Sequence, residues 1–398
     1  MTSTSCNEIA RELLDGCLAG RLPAELPRAL VEEPGGHALF GILVEGLADR
    51  FEPRLCDVYA RLFSQAVAQV SESVDPVALT ARYERVRRPR PISGEPHRVF
   101  VLSRVTLGAD VAVTSVLLAA AKQRFPHAEI VFVGPRKNFE LFARDPRLRH
   151  ADMAYRRGGL RERLAVWGPL EALLAAPDAV VIDPDSRLTQ LGLLPVGVED
   201  RYRLFESRGY GGETERALPE LAAAWAEETF GVSGAKPYVA LEPSIGPRGR
   251  PGYTAVSLGV GENPAKRIPD PFEERLLALL AAGGAPLVID KGAGGKEAAR
   301  VERAIQRSGV AAQFWEGSFA GFAAIIAASR RYVGYDSAGQ HVAAACGVPL
   351  VAIFAGFPVP RMFHRWRPTG EGATVIRVDR PDPLETLERV RAVFALAH

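Results

Sequence analysis

The sequence predicts an α/β chain of two parallel-sheet halves facing a cleft and preceded by a small all-α module. Three observations predict it. From residue 98 short β-branched runs alternate with amphipathic helices, which implies parallel sheets with helices on both faces. The alternation lapses at 242–252 and then restarts, so a hinge between two halves is expected there. Residues 1–84 instead carry apolar positions at three- and four-residue spacing without strand signals. A length of 398 residues agrees, because single cores stop growing at roughly 250–300 residues.

In chain order, "HALFGILVEGLADRF" and "LCDVYARLFSQAVAQV" carry the helical periodicity of the first module. Residues 85–97, "RVRRPRPISGEPH", read as a solvated linker because Arg and Pro dominate them. The first half, 98–250, takes its strands from "RVFVLS", "EIVFVG" and "AVVIDP", with a helix in "ADVAVTSVLLAAAKQRF". Glycine and charge in "ESRGYGGETER", 206–216, predict a mobile loop. The second half, 251–398, takes strands from "YTAVSLG", "APLVID", "RYVGY" and "PLVAIF", and helices from "PFEERLLALLAAG" and "KEAARVERAIQRSG".

Composition excludes several classes. A net charge of only +2 gives no global field for nucleic acid. Cys6, Cys17, Cys56 and Cys346 are scattered, so reduced thiols of a cytoplasmic protein are expected and a structural zinc site is not. The opening "MTSTSCNEIARELLDG" lacks the basic and apolar regions of a signal peptide. No apolar stretch reaches the ~20 residues a bilayer needs, so membrane contact would be peripheral.

In "RYVGYDSAGQHVAAACGVPLVAIF" the run "RYVGY" reads as a strand with Asp336 at its tip, "DSAGQ" as the turn, "HVAAAC" as a short helix stopped by Gly347, and "VPLVAIF" as the next strand. Small residues at Ala338 and Gly339 let an anion approach the helix N-terminus, while Asp336 suits ribose hydroxyls. Asp336 and Ser337 read equally as helix caps. In "VSLGVGENPAKRIPDPF", Gly259 and Gly261 permit close backbone approach and Lys266 offers a point charge for phosphate, or is a solvated loop lysine. "DKGAGGKE" adds Lys291 and Glu297, the latter also a favourable first-turn charge. "SRVTLGAD" sets Arg104 and Asp110 between strand and helix, where Asp110 is either a helix N-cap or a carboxylate able to take a proton. Asp183 and Asp185 imitate a DxD metal motif, but a turn or a place on the acceptor side fits Asp183 better. Arg136 and Lys137, after "EIVFVG", suit an anionic acceptor.

These segments, in this order over roughly 98–398, resemble the ADP-heptose:lipopolysaccharide heptosyltransferases of glycosyltransferase family 9. The resemblance implies a GT-B fold of two Rossmann-like domains and a metal-independent, inverting transfer from a nucleotide-diphosphate sugar, with no other cofactor. It implies Asp110 as general base and Lys266 as phosphate lysine, and it makes the turn Asp336, Ser337, Ala338, Gly339, Gln340 and His341 the donor site. Arg104, Arg136, Lys137 and Asp183 would then face the acceptor, a glycan or glycolipid. Ala109 precedes Asp110 where the family has glycine, and residues 1–84 have no counterpart in the simple heptosyltransferases. The rival readings are a GT-B-fold binding protein without catalysis and a dinucleotide-dependent oxidoreductase, although position 264 is Pro where a dinucleotide fingerprint needs Gly.

Overall fold

Continuous apolar runs become central strands, because strands covered on both faces need no polar side. In the computed structural model, which describes residues 5–243, 252–261, 263–292 and 294–395, two such sheets form. The first has the parallel order β3-β2-β1-β4-β5. Its strands are β1 (Arg98–Leu102), β2 (Glu129–Gly134), β3 (Leu148–Asp152), β4 (Ala179–Asp183) and β5 (Tyr202–Leu204). β1 lies at its centre with Val99 opposite Ile130 on one side and Val180 on the other. The second has the parallel order β11-β10-β9-β6-β7-β8. It comprises β6 (Thr254–Ser257), β7 (Leu287–Asp290), β8 (Gln313–Trp315), β9 (Arg331–Tyr335), β10 (Leu350–Phe354) and β11 (Ala373–Arg377). Strand order reverses at β1/β4 and at β6/β9, and open parallel sheets bind ligands beyond the carboxyl ends of such switch points.

The chain divides into two units, 1–106 with 116–139 and 147–235, and 107–115 with 140–146 and 236–398. The first turns of the helix that follows β1 therefore belong with the second sheet. The expected hinge falls largely on 244–251, outside the described residues.

The helical segment begins with a capping box, in which Ser5 and Glu8 satisfy each other's backbone N–H groups. Pro53 and Pro76 open the helices Pro53–Val70 and Pro76–Val86 at positions where no N–H is needed. These helices share one core with the first sheet: Leu55, Tyr59 and Phe63 pack in the same cluster as Phe100, Leu102, Leu188 and Leu191. The Tyr59 hydroxyl donates to Gln190 O at 2.7 Å, and Arg82 donates to the carbonyls of Gly192 and Leu193. Residues 85–97, expected as a solvated linker, keep exposed positions such as Arg88, Ser93 and His97 and are tied down at points. Arg85 makes a two-pronged pair with Glu199, Arg203 donates to the carbonyls of Arg90 and Pro91, and Ile92 is buried. Arg85, Arg88 and Pro91 nevertheless remain exposed. The expected mobile loop at 206–216 is likewise anchored at its start, since Glu206 and Ser207 are buried and Glu206 accepts from Gly209 N at 3.0 Å.

Candidate functional site

β6 and β9 end side by side, and the turns that leave them meet. Asp336, only 5% exposed, follows β9. Lys266 lies in the 3-10 turn Pro264–Lys266 and reaches Asp336 with Nζ 2.6 Å from Oδ2 and 3.2 Å from its carbonyl oxygen. The other carboxylate oxygen accepts from Gln340 Nε2 at 2.5 Å. Asp336 therefore caps nothing. Ser337, at the N-cap of Ala338–Ala345, makes no side-chain capping bond, so no side chain at that position serves the first N–H groups of the helix. The capping alternative for both residues is not realised.

The smallness of Gly339 has an internal cause, because a Cβ there would stand 2.3 Å from the Tyr332 hydroxyl. Gln340 and His341 are buried. Burial pushes His341 down to about 4, with Lys266 adding to the effect and Asp336 opposing it, so the imidazole is neutral. Its ring meets Trp366 edge-on at 6.0 Å.

Glu297, in the first turn of Gly295–Ser308, accepts from Val260 N at 3.0 Å and Gly261 N at 3.2 Å. It clasps the loop that carries Gly259 and Gly261, a larger role than a first-turn charge. Lys291 is not brought to the Lys266–Asp336 pair; it is held by Glu316 and by Glu302 at 2.8 Å. Sequence reading missed Asp290 at the end of β7, whose carboxyl burial raises to about 6 against a hydrogen bond from Gly292 N. An acid closing the apolar run "APLVID" beside the glycines was the available signal.

Asp110 is no N-cap. It lies inside the helix that begins at Leu107, at the start of a π-helical turn Asp110–Thr114, a feature frequent at functional sites. It is fully buried, and Oδ1 accepts from Thr114 Oγ1 at 2.7 Å. Two residues earlier Gly108 backs onto the helix Ala338–Ala345, where a Cβ would be 3.1 Å from Ala338 Cα and 3.2 Å from His341 Cδ2. Asp110, Lys266 and Asp336 thus belong to one unit.

Arg104 and Asp183 belong to the other unit and are buried there. Arg104 donates to Pro184 O at 2.9 Å and Ser207 Oγ at 2.8 Å, and lies 3.7 Å from Asp185. Asp183 accepts from Ser186 N at 2.6 Å, Thr189 Oγ1 at 2.5 Å and the Tyr202 hydroxyl, while burial raises its carboxyl to about 6. This is the turn-forming alternative. Arg136 and Lys137 are exposed at the start of Arg136–Phe139. Among the described residues no group of three or more His, Cys, Asp or Glu could hold a metal ion. A second buried cluster escaped sequence reading: Asp185 binds Arg208 and Ser207, and Glu206 accepts from Cys56 Sγ at 3.3 Å.

Residues 196–391 match the family model described as glycosyltransferase family 9 (heptosyltransferase). No curated protein matches the chain in sequence. Among solved structures it is similar to the glycosyl transferase family 9 from Veillonella parvula DSM 2008, with TM-score 0.55 and 16% identity over 76% of this chain and 91% of that one. It is also similar to E. coli heptosyltransferase WaaC with ADP-2-deoxy-2-fluoro heptose, with TM-score 0.56 and 16% identity over 76% of this chain and 100% of that one. E. coli ADP-heptose lps heptosyltransferase II gives TM-score 0.52 and 20% identity over 75% of this chain and 99% of that one. These likenesses show the fold, two parallel-sheet α/β domains of the GT-B class.

Proposed function

We propose, from the premise that residues 196–391 are a glycosyltransferase family 9 domain and the chain a sugar-transferring enzyme, a metal-independent inverting transfer. Heptose or a related sugar would move from a nucleotide-diphosphate donor to an acceptor hydroxyl, in the synthesis of a cell-surface glycan or glycoconjugate. The observation that carries this reading is the Lys266–Asp336 pair, 2.6 Å apart, at the uncapped start of the helix Ala338–Ala345. In it Lys266 exchanges its Asp336 partner for the diphosphate, whose charge also meets the first N–H groups of the helix. Asp336, released, accepts from ribose hydroxyls, with Glu297 shaping the loop beneath.

The acceptor oxygen attacks the anomeric carbon and the carbon–oxygen bond to the diphosphate breaks. The departing group keeps the electron pair, and the acceptor proton goes to Asp110. Fixed positive groups at the leaving oxygen supply the stabilisation that a metal supplies elsewhere. E. coli heptosyltransferase WaaC was solved with ADP, which supports an ADP-linked donor. Exposed Arg136 and Lys137 support an anionic acceptor, met in the cytoplasm or at the inner face of the membrane. Among the described residues no helix is long and apolar enough to cross a membrane.

A thermal-shift panel of ADP, GDP, UDP, CDP and TDP, each with and without EDTA, tests the reading. A binding diphosphate at 100 times its Kd adds about 2.7 kcal/mol, and EDTA should leave that shift and the turnover unchanged. No shift with any diphosphate, or a turnover that EDTA abolishes and Mg²⁺ restores, would sink it.

A further inference from the structure

Behind the Lys266–Asp336 pair lies a carboxylate, Glu273, in the first turn of the helix Phe272–Ala282. Glu273 is 2% exposed, at a depth where a carboxylate is retained only with partners. Its Oε1 gathers three donors: Arg267 Nε at 3.2 Å, the Tyr335 hydroxyl at 3.2 Å, and Arg300 Nη1. Each donor adjoins a site residue. Arg267 follows Lys266 directly, Tyr335 directly precedes Asp336, and Arg300 stands one helical turn after Glu297. The links continue beyond the carboxylate. The Tyr335 hydroxyl accepts from Ile268 N at 3.2 Å, and Arg300 Nη2 donates to Leu258 O at 2.7 Å, at the root of the loop Glu297 clasps.

We infer that Glu273 is a positioning residue for the diphosphate site, fixing Lys266 and the turn at Asp336 through one shared oxygen. The inference rests on the diphosphate reading above. Without Glu273, Arg267 and Arg300 lose their common acceptor, and the turn at 264–268 keeps its bond from Ile268 N to the Tyr335 hydroxyl but loses the second tie to the end of β9 that runs from Arg267 through the shared carboxylate to Tyr335. Lys266 then reaches the diphosphate from a scattered set of positions. Oε2 of Glu273 is buried without a hydrogen-bond partner among the described residues. A glutamine can therefore leave its oxygen where Oε1 sits and turn its NH2 toward the vacant side without meeting a donor.

The test is calorimetric binding of ADP, AMP and adenosine to wild type, Glu273→Ala, Glu273→Gln, Lys266→Ala and the double variant Glu273→Ala/Lys266→Ala, with melting curves for each. Glu273→Ala should weaken ADP about tenfold, within the range for residues coupled in one network, and leave adenosine within about twofold. Glu273→Gln should restore ADP binding to within about threefold of wild type. In the Lys266→Ala background Glu273→Ala should cost nothing further, because the lysine it positions is gone. Should Glu273→Ala not fold, Tyr335→Phe, which removes one donor and the tie to Ile268, should show the same selective loss in smaller measure. A folded Glu273→Ala that binds ADP like wild type, or an equal loss with and without Lys266, would overturn the inference. A wild type that binds ADP no better than adenosine would overturn the diphosphate reading and the inference with it.

Discussion

The proposed mechanism gives Asp110 and Lys266 opposite kinetic signatures. Asp110 is fully buried with Thr114 donating to Oδ1, and asparagine offers the same oxygen to the same hydroxyl. A general base acts only when the acceptor hydroxyl attacks. Asp110→Asn should therefore keep nucleotide affinity within about threefold and lower kcat by roughly 10² to 10⁴. On the proposed reading Lys266 would meet the diphosphate before and during transfer alike. Lys266→Ala should weaken nucleotide binding by about 1.5–3 kcal/mol, the range for a hydrogen bond to a charged group. It should also lower the melting temperature, because Asp336 is 5% exposed and would keep only its bond from Gln340. Isothermal titration and steady-state kinetics on both variants separate the roles. An Asp110→Asn enzyme with wild-type kcat would remove Asp110 from the mechanism.

At the scale of the element, the helix Ala338–Ala345 stores a charge penalty in His341. Its imidazole is pushed from 6.5 down to about 4, chiefly by burial. A folded value below the unfolded one means that the unfolded chain binds the extra proton between those limits. Stability is then lost as pH falls from about 6.5 towards 4, by roughly 3 kcal/mol in full. Asp183 and Asp290, both raised to about 6, act in the other direction, each losing stability as pH rises from about 4 through 6. The wild-type slope mixes these terms, so the informative quantity is a difference. Denaturant stability of wild type minus His341→Asn should decrease between pH 7 and pH 5; a difference flat in pH would mean that His341 titrates normally. The elements themselves divide by legibility. β1, β2, β4, β6, β7, β9 and β10 announce themselves as apolar runs such as "RVFVL" and "LVAIF". The strands that escaped sequence reading, β3, β5, β8 and β11, are the four sheet edges. Edge strands are covered on fewer sides: "LRHAD", "QFW" and "ATVIR" carry exposed or half-exposed positions, and β5 has only 3 residues. The site divides likewise. Turn residues near Gly259 and Asp336 are readable because small and acidic residues interrupt apolar runs. The pairing of Lys266 with Asp336, 70 positions apart, and the convergence on Glu273 exist only once β6 and β9 lie together.

For the whole molecule, the telling fact is that the first sheet does not bury its face without the residues that precede it. The similar heptosyltransferase structures are covered over nearly their full length by about three quarters of this chain, so a quarter of it lies outside the shared fold. In this protein the helices between residues 6 and 86 are nevertheless no appendage. Phe63, 2% exposed, stacks on Tyr59 at 5.3 Å and meets Phe40 edge-on at 5.7 Å, in the cluster that holds Phe100 and Leu102 of β1. Polar ties follow the same route: Tyr59 to Gln190, Arg82 to Gly192 and Leu193, and the Arg82 guanidinium 4.8 Å over the Tyr202 ring. Removing residues 1–97 would bare the face lined by Leu188, Leu191, Tyr202 and Leu204. It would also leave the carbonyls of Gln190, Gly192 and Leu193 without these donors, and buried or newly bared polar groups without partners are costly. A chain of residues 98–398 should therefore aggregate, or show the mobile packing and dye binding of a compact unordered state. In the full chain Phe63→Ala should destabilise the first unit by about 3–5 kcal/mol, the cost of emptying a buried aromatic site. A monodisperse 98–398 fragment with wild-type near-ultraviolet dichroism and wild-type nucleotide affinity would show instead that the helical segment is dispensable and the shared core incidental.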